Sequence, residues 1–197
     1  CEAIGEEMTL TYDDFLSRFA GSDERYAMGE MAKELGIPYD ENLFQEWSKR
    51  KAEAYAQFVS ESATPMPGAV DFVLSVSREL PVGLATSSRR SDVDTALKVL
   101  AGGRLEGVFQ TIVTTEDVAM PKPDPATYAK AVENLGAKPS GCLALEDSPN
   151  GVRSAKRAGL HVVGVAAMHG PGKLSEADVV VPDLRGASLG RFYSWLD

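Results

Sequence analysis

Cys142-Leu143-Ala144-Leu145-Glu146-Asp147-Ser148-Pro149-Asn150-Gly151 is the stretch that decides the fold. Four apolar residues run without a polar break into two adjacent carboxylates. A helical pattern over 150–158 follows at once. An uninterrupted apolar run of this length reads as a strand covered on both faces. The same unit recurs on either side. Upstream, Pro81–Thr86 ends in Ser87-Ser88 before a helix near 91–100. Thr111–Thr114 leads into Met120-Pro121-Lys122-Pro123-Asp124-Pro125 and a helix reaching Leu135. Downstream lie the runs His161–Val165 and Val179–Val181 and a last helix near 187–196. Short apolar runs alternating with helices predict one parallel sheet with helices on both faces.

Residues 1–64 have a different texture and predict helices alone. Thr11-Tyr12-Asp13-Asp14 reads as an N-cap with acids in the first turn, ahead of Phe15, Leu16 and Phe19. Gly21 ends that helix, and Ser22 and Asp23 can cap the next. There Tyr26, Met28, Met31 and Leu35 keep helical spacing up to Gly36 and Pro38. A third helix starts near Asp40 and presents Phe44, Trp47, Tyr55 and Phe58 on one face and Lys49, Arg50, Lys51 and Glu53 on the other. Met28, Met31 and Trp47 read as core. Thr64-Pro65-Met66-Pro67-Gly68 is the linker to a helix over 70–80. The division is a helical domain over 1–64 and an α/β domain over 65–197.

Composition bounds the function. The 197 residues are 44% hydrophobic and 25% charged, enough for a packed core. A net charge of -9 argues against broad nucleic-acid binding, which needs a basic footprint. No apolar run reaches the ~18 residues of a membrane span. Cys1-to-Met8 carries three glutamates and no basic region, unlike a signal peptide. These features predict a cytoplasmic protein with no membrane partner. Cys1 and Cys142 are too few and too distant for a disulfide scaffold, and Cys142 reads as a small core residue.

In parallel sheets, ligands bind at the carboxyl ends of the strands. Thr86-Ser87-Ser88 offers hydroxyls and backbone N–H groups suited to a phosphate oxygen, or simply to a helix cap. Lys122 is held between two prolines, where an ammonium can neutralise a phosphate or sit on the surface. Glu146-Asp147 offers the carboxylate oxygens that Mg²⁺ prefers, or the acids common in a helix first turn. A hydroxyl, a lysine and an acid pair ending three strands in this order form a phosphoryl-transfer pattern.

Three motifs carry a family resemblance. Gly83-Leu84-Ala85-Thr86-Ser87-Ser88, Pro121-Lys122-Pro123-Asp124-Pro125 and Leu145-Glu146-Asp147-Ser148-Pro149-Asn150-Gly151 resemble the second, third and fourth motifs of the haloacid dehalogenase superfamily. The nearest subgroup holds β-phosphoglucomutase and sugar-phosphate phosphatases. Its helical cap is similar to residues 1–64, including Phe19-Ala20-Gly21-Ser22 and Ser48-Lys49-Arg50-Lys51. The resemblance implies an α/β fold with a Rossmann-like parallel sheet core, helices on both faces and a helical cap domain. It implies that Thr86 bonds the phosphoryl group, with Ser87 and Ser88 lining the loop, and that Lys122 orients and neutralises it. Asp147 would ligate Mg²⁺, with Glu146 a ligand or close neighbour. Arg25 and Lys51 would contact substrate from the cap.

One departure matters. The family's nucleophile is an aspartate in Asp-x-Asp-Gly after a strand preceding the cap, and these residues contain no such motif. Asp92-Val93-Asp94 has the spacing but follows Arg89-Arg90-Ser91 rather than an apolar run, and sits in a helix first turn. The expectation is that the nucleophile segment precedes Cys1 in the natural protein, and that this stretch alone is inactive. The expected function is a Mg²⁺-dependent phosphatase of a small phosphorylated metabolite, such as a sugar phosphate, acting through a phosphoaspartate. The alternatives are a phosphosugar mutase of the same fold and a non-catalytic binding module for phosphorylated metabolites. A dehalogenase, which needs no metal site, fits Glu146-Asp147 less well. His169 is a weak candidate near the site mouth, and Trp195 is expected to dock the last helix. Oligomeric state is left open.

Overall fold

The computed structural model describes residues 11, 14, 18, 19, 22, 24–167 and 170–193. Seven α-helices and five strands follow one another among them. They are α1 (Glu24–Leu35), α2 (Glu41–Glu61), α3 (Ala69–Val76), β1 (Gly83–Ala85), α4 (Arg90–Val99), β2 (Thr111–Val113), α5 (Ala126–Asn134), β3 (Leu143–Glu146), α6 (Pro149–Arg157), β4 (His161–Val165), β5 (Val179–Val181) and α7 (Leu189–Tyr193). Every strand pair is parallel: β1 with β2, β3 with β4, and β4 with β5. This is a Rossmann-type α/β fold.

The α1–α2 pair has its own apolar centre. Met28, Ala32, Phe44 and Trp47 are buried together, with Met31, Leu35 and Leu43 against them. Helical spacing along α2 produces that face. Asp40 caps α2 by accepting from the Leu43 N–H at 2.9 Å. Gly36, at φ 67, ends α1 with the Ile37 N–H bonded to the Ala32 carbonyl, the reversal that glycine permits. Two aromatics depart from the predicted stripe. Tyr26 and Phe58 are each 56% exposed, because Met28, Phe44 and Trp47 already close the pair's small interface. At the predicted first helix, Thr11 and Asp14 cap one another, the Asp14 N–H donating to Thr11 Oγ1 and Thr11 Oγ1 to Asp14 Oδ2. Phe15, Leu16, Gly21, Asp23, His169 and Trp195 lie outside the described residues, as does the predicted helix beyond Tyr193.

The β3-β4-β5 sheet is covered on both faces. Tyr128, Val132, Val152 and Ala155 from α5 and α6 pack on Ala144 and Val162. Phe72 of α3 and Leu184 pack on Val163 and Val165. Alternation along β4 sends Val162 to one face and Val163 to the other. The linker is pinned to this unit. The Pro67 carbonyl accepts from the Leu184 N–H at 3.0 Å, and Gly68, at φ 81, lies so close that a Cβ would stand 2.2 Å from the Leu184 carbonyl. Helix α3 ends at Val76, short of the predicted Leu80.

The single predicted sheet is two. Among the described residues β1-β2 and β3-β4-β5 form separate ladders. Parallel strands lock only through backbone pairing, and no described strand stands between β1 and β3. Their carboxyl ends are instead tied by the Lys122 side chain, which bonds the Ala85 carbonyl and Glu146. No helix among the described residues is long and apolar enough to cross a membrane.

Candidate active site

The three sequence motifs converge at the carboxyl ends of β1 and β3. Lys122 stands between them. Its ammonium donates to the Ala85 carbonyl at 3.1 Å and to Glu146 Oε1 at 2.5 Å. Both members of this ion pair are buried, Lys122 at 7% exposure and Glu146 at 6%. The surface-lysine alternative is thereby excluded. An ammonium has three N–H donors, and these two bonds use two of them.

Glu146 is held from three sides. Tyr128 of α5 donates its hydroxyl to Oε1 at 2.5 Å, and Ser148 donates to Oε2 at 3.2 Å. Ser148 is also the N-cap of α6, accepting from the Gly151 N–H at 3.0 Å. Gly151 permits this closeness. A Cβ there would lie 1.9 Å from Glu146 Oε2. A buried charge pair persists only where hydrogen bonds satisfy its remaining lone pairs, and this network supplies them. Burial and the Glu146 charge push the Tyr128 hydroxyl well above its ordinary range, so it stays a donor. Asp147 follows at the strand end, half-buried.

The lysine loop is fastened to the same helix. Ser154 of α6 donates to the Asp124 carbonyl at 2.6 Å, and Arg157 donates to the Pro123 carbonyl at 3.1 Å. At the end of β1, the Thr86 N–H bonds the Val113 carbonyl and Thr86 Oγ1 accepts from the Ser88 N–H at 3.0 Å. Accepting there leaves the Thr86 hydroxyl proton to donate outward. Thr86 and Ser88 line a cavity of about 180 Å³ with Tyr55, Leu84 and Val93. Ser87 lies between them in the same loop.

Magnesium takes one or two carboxylates and completes its shell with water and substrate phosphate. Asp147, half-buried at the end of β3, is a carboxylate of the kind such a shell uses. Among the described residues no group of three or more His, Cys, Asp and Glu gathers as a ready cation site.

The helical pair faces this region with its charges engaged. Arg25 donates to Glu41 at 2.8 Å and lies 3.7 Å over the Phe44 ring. It lines a cleft of about 360 Å³ with Glu24, Phe44, Gln45, Arg89 and Glu116. Lys51 pairs with Asp92 of α4, whose carboxylate is 4% exposed, and stands 3.6 Å from Glu24. Asp92 is in the first turn of α4, as the sequence indicated, but serves as an internal partner to Lys51. Tyr128, Ser154 and Arg157 escaped the sequence reading. Only the fold brings Tyr128 to Glu146, and no local motif marks it.

A parallel α/β fold with polar groups gathered at its strand ends is the layout of a Rossmann-like ligand-binding domain. Residues 6–165 match the model of the haloacid dehalogenase-like hydrolases, and the chain belongs to that family. It is 32% identical over 185 residues to validoxylamine A 7'-phosphate phosphatase of Streptomyces hygroscopicus subsp. limoneus, covering 81% of this chain and 85% of that one. It is 30% identical over 176 residues to protein CbbY of Rhodobacter capsulatus, covering 88% and 77%. The fold matches the crystal structure of CbbY from Rhodobacter sphaeroides in complex with phosphate, with TM-score 0.85 and 21% identity over 96% of this chain and 86% of that one. The protein is a haloacid dehalogenase-like hydrolase.

Proposed function

We propose that the protein is a Mg²⁺-dependent cytoplasmic phosphatase of small phosphorylated metabolites, sugar phosphates among them. The observation that carries this reading is the buried Lys122 ammonium, fixed at the strand ends by the Ala85 carbonyl and Glu146. Relatives at 32% and 34% identity are named validoxylamine A 7'-phosphate phosphatase and hexitol phosphatase A, which supports a small phosphorylated substrate.

The roles follow from the chemistry of each group. Thr86 donates its hydroxyl to a phosphoryl oxygen, within a loop lined by Ser87 and Ser88. Lys122 offsets the charge on the transferring group. Glu146 holds Lys122, and Asp147 holds the Mg²⁺, which when bound neutralises phosphoryl charge. The attacking carboxylate implied by the resemblance is the first aspartate of an Asp-x-Asp-Gly motif. It displaces the sugar alkoxide from phosphorus, and water then hydrolyses the phosphoaspartate to inorganic phosphate. Residues 1–64 act as the cap over the core of 65–197, with Arg25 facing the cleft. Lys51 serves the cap–core contact through Asp92.

The test is phosphate release by the full-length protein from a panel of hexose, pentose and hexitol monophosphates, with Mg²⁺ and after chelation. Metal-dependent release from one compound class is expected. Phosphoryl transfer to a second sugar without net release would favour a mutase. Tight phosphate binding without turnover would favour a binding module.

A further inference from the structure

Tyr128 touches both members of the buried pair. Its hydroxyl donates to Glu146 Oε1 at 2.5 Å, the same oxygen that accepts from Lys122. Its ring centroid lies 4.6 Å from the Lys122 ammonium. The side chain is 7% exposed and sits in the apolar cluster of α5, α6 and β4, so its position is set by packing. An apolar ring would satisfy that cluster alone. The hydroxyl is an additional feature, placed where the cluster meets the charge pair.

We infer that Tyr128 is a positioning residue for the phosphate site, fixing the Lys122 ammonium through Glu146. The inference rests on the reading of Lys122 as a phosphate-neutralising group and deepens it. Glu146 Oε1 divides its accepting capacity between two donors. With Tyr128 in place, the carboxylate is anchored to α5 and the ammonium is held at a fixed point between β1 and β3. Without the hydroxyl, Glu146 Oε1 is left to Lys122 alone. The ammonium is drawn inward and its charge is less available to an incoming anion. Ser148 holds only the other oxygen and cannot replace the lost donor.

The discriminating variant is Tyr128→Phe, which keeps the ring, the packing and the contact with the ammonium and removes only the hydroxyl. Two readouts are taken with Mg²⁺ present. Calorimetry measures the affinity for inorganic phosphate. Nitrogen-15 NMR of the lysine side chains follows the Lys122 ammonium, assigned by its absence in Lys122→Met. The unsubstituted protein is expected to show a slowly exchanging Lys122 ammonium signal. Tyr128→Phe is expected to bind phosphate about 5–10-fold more weakly, the size of a single lost hydrogen bond, and to lose that signal. The melting temperature falls in either case, since a buried bond is lost, so the ammonium signal is the reading that separates the two roles. A merely structural tyrosine would leave the signal in place.

Phosphate affinity within twofold, with the ammonium signal retained, overturns the inference. A freely exchanging ammonium in the unsubstituted protein overturns it too, whether or not the variant folds. The underlying reading fails separately. If Lys122→Met binds phosphate as tightly as the unsubstituted protein, Lys122 is not a phosphate group, whatever Tyr128 does to it.

Discussion

Gly151 and Glu146 occupy the same space to within one atom: a Cβ on Gly151 would lie 1.9 Å from Glu146 Oε2 and 2.0 Å from its Cδ. The glycine stands in the first turns of α6, where alanine would ordinarily gain about 0.5–1 kcal/mol in helix propensity. Crowding the buried carboxylate opposes that gain at about 1–3 kcal/mol. Gly151→Ala is therefore expected to lower stability, measured by urea unfolding. It should also weaken phosphate binding, because Lys122 follows Glu146. A stabilised variant would show that Glu146 does not need this position.

The Lys51–Asp92 pair joins α2 to α4. Asp92 is nearly inaccessible, while the Lys51 side chain keeps 36% exposure. Removing one partner of a fully buried pair costs about 3–5 kcal/mol, and the water around Lys51 reduces this to about 1–2 kcal/mol. Lys51→Met should lower the free energy of unfolding by that amount, read as a lower urea midpoint. Adding Asp92→Asn should restore part of it, because no buried charge is then left alone. Equal midpoints for all three proteins would remove the pair from the account of how the helical unit docks.

Glu24 sets a pH dependence of opposite sign to the usual carboxylate. Its oxygens are buried and accept no hydrogen bond among the described residues, with Lys51 at 3.6 Å and Arg89 at 3.9 Å. Burial pushes its carboxyl up. Lys51 and Arg89 oppose that rise, and the Asp92 charge adds to it. The folded value lies above the unfolded one, so the folded state holds the extra proton between them. Stability thus falls as pH rises through that window. Glu24→Gln removes the effect. Its stability advantage should grow from the ordinary glutamate range upward and then level off. A pH-independent difference between the two proteins would contradict this.

The strand-end residues were legible because each follows its strand in the chain. Leu143-Ala144-Leu145 marks β3, and Glu146 and Asp147 come next by necessity. The relations between strand ends were not legible. Lys122 and Glu146 are distant in sequence, and nothing local says that the lysine turns inward to pair. Tyr128 reads as one more apolar position of α5. Gly151 was visible as part of a motif, but its reason, the Glu146 carboxylate, appears only in three dimensions. The Lys51–Asp92 pair was not legible either, because Asp92 belongs to another helix. The break between β1 and β3 was hidden for a similar reason, since apolar runs report strands and not which strands pair.

The central claim is that Lys122, held by Ala85 and Glu146, gives the strand ends their phosphate affinity. The direct measurement is the dissociation constant for inorganic phosphate, with Mg²⁺, in the unsubstituted protein and in Lys122→Met, with folding checked by circular dichroism. Methionine keeps the buried volume, and Tyr128 and Ser148 still bond Glu146. Loss of a charged hydrogen bond of about 1.5–3 kcal/mol predicts affinity at least tenfold weaker in the folded variant. Equal affinity in a folded Lys122→Met protein would contradict the account.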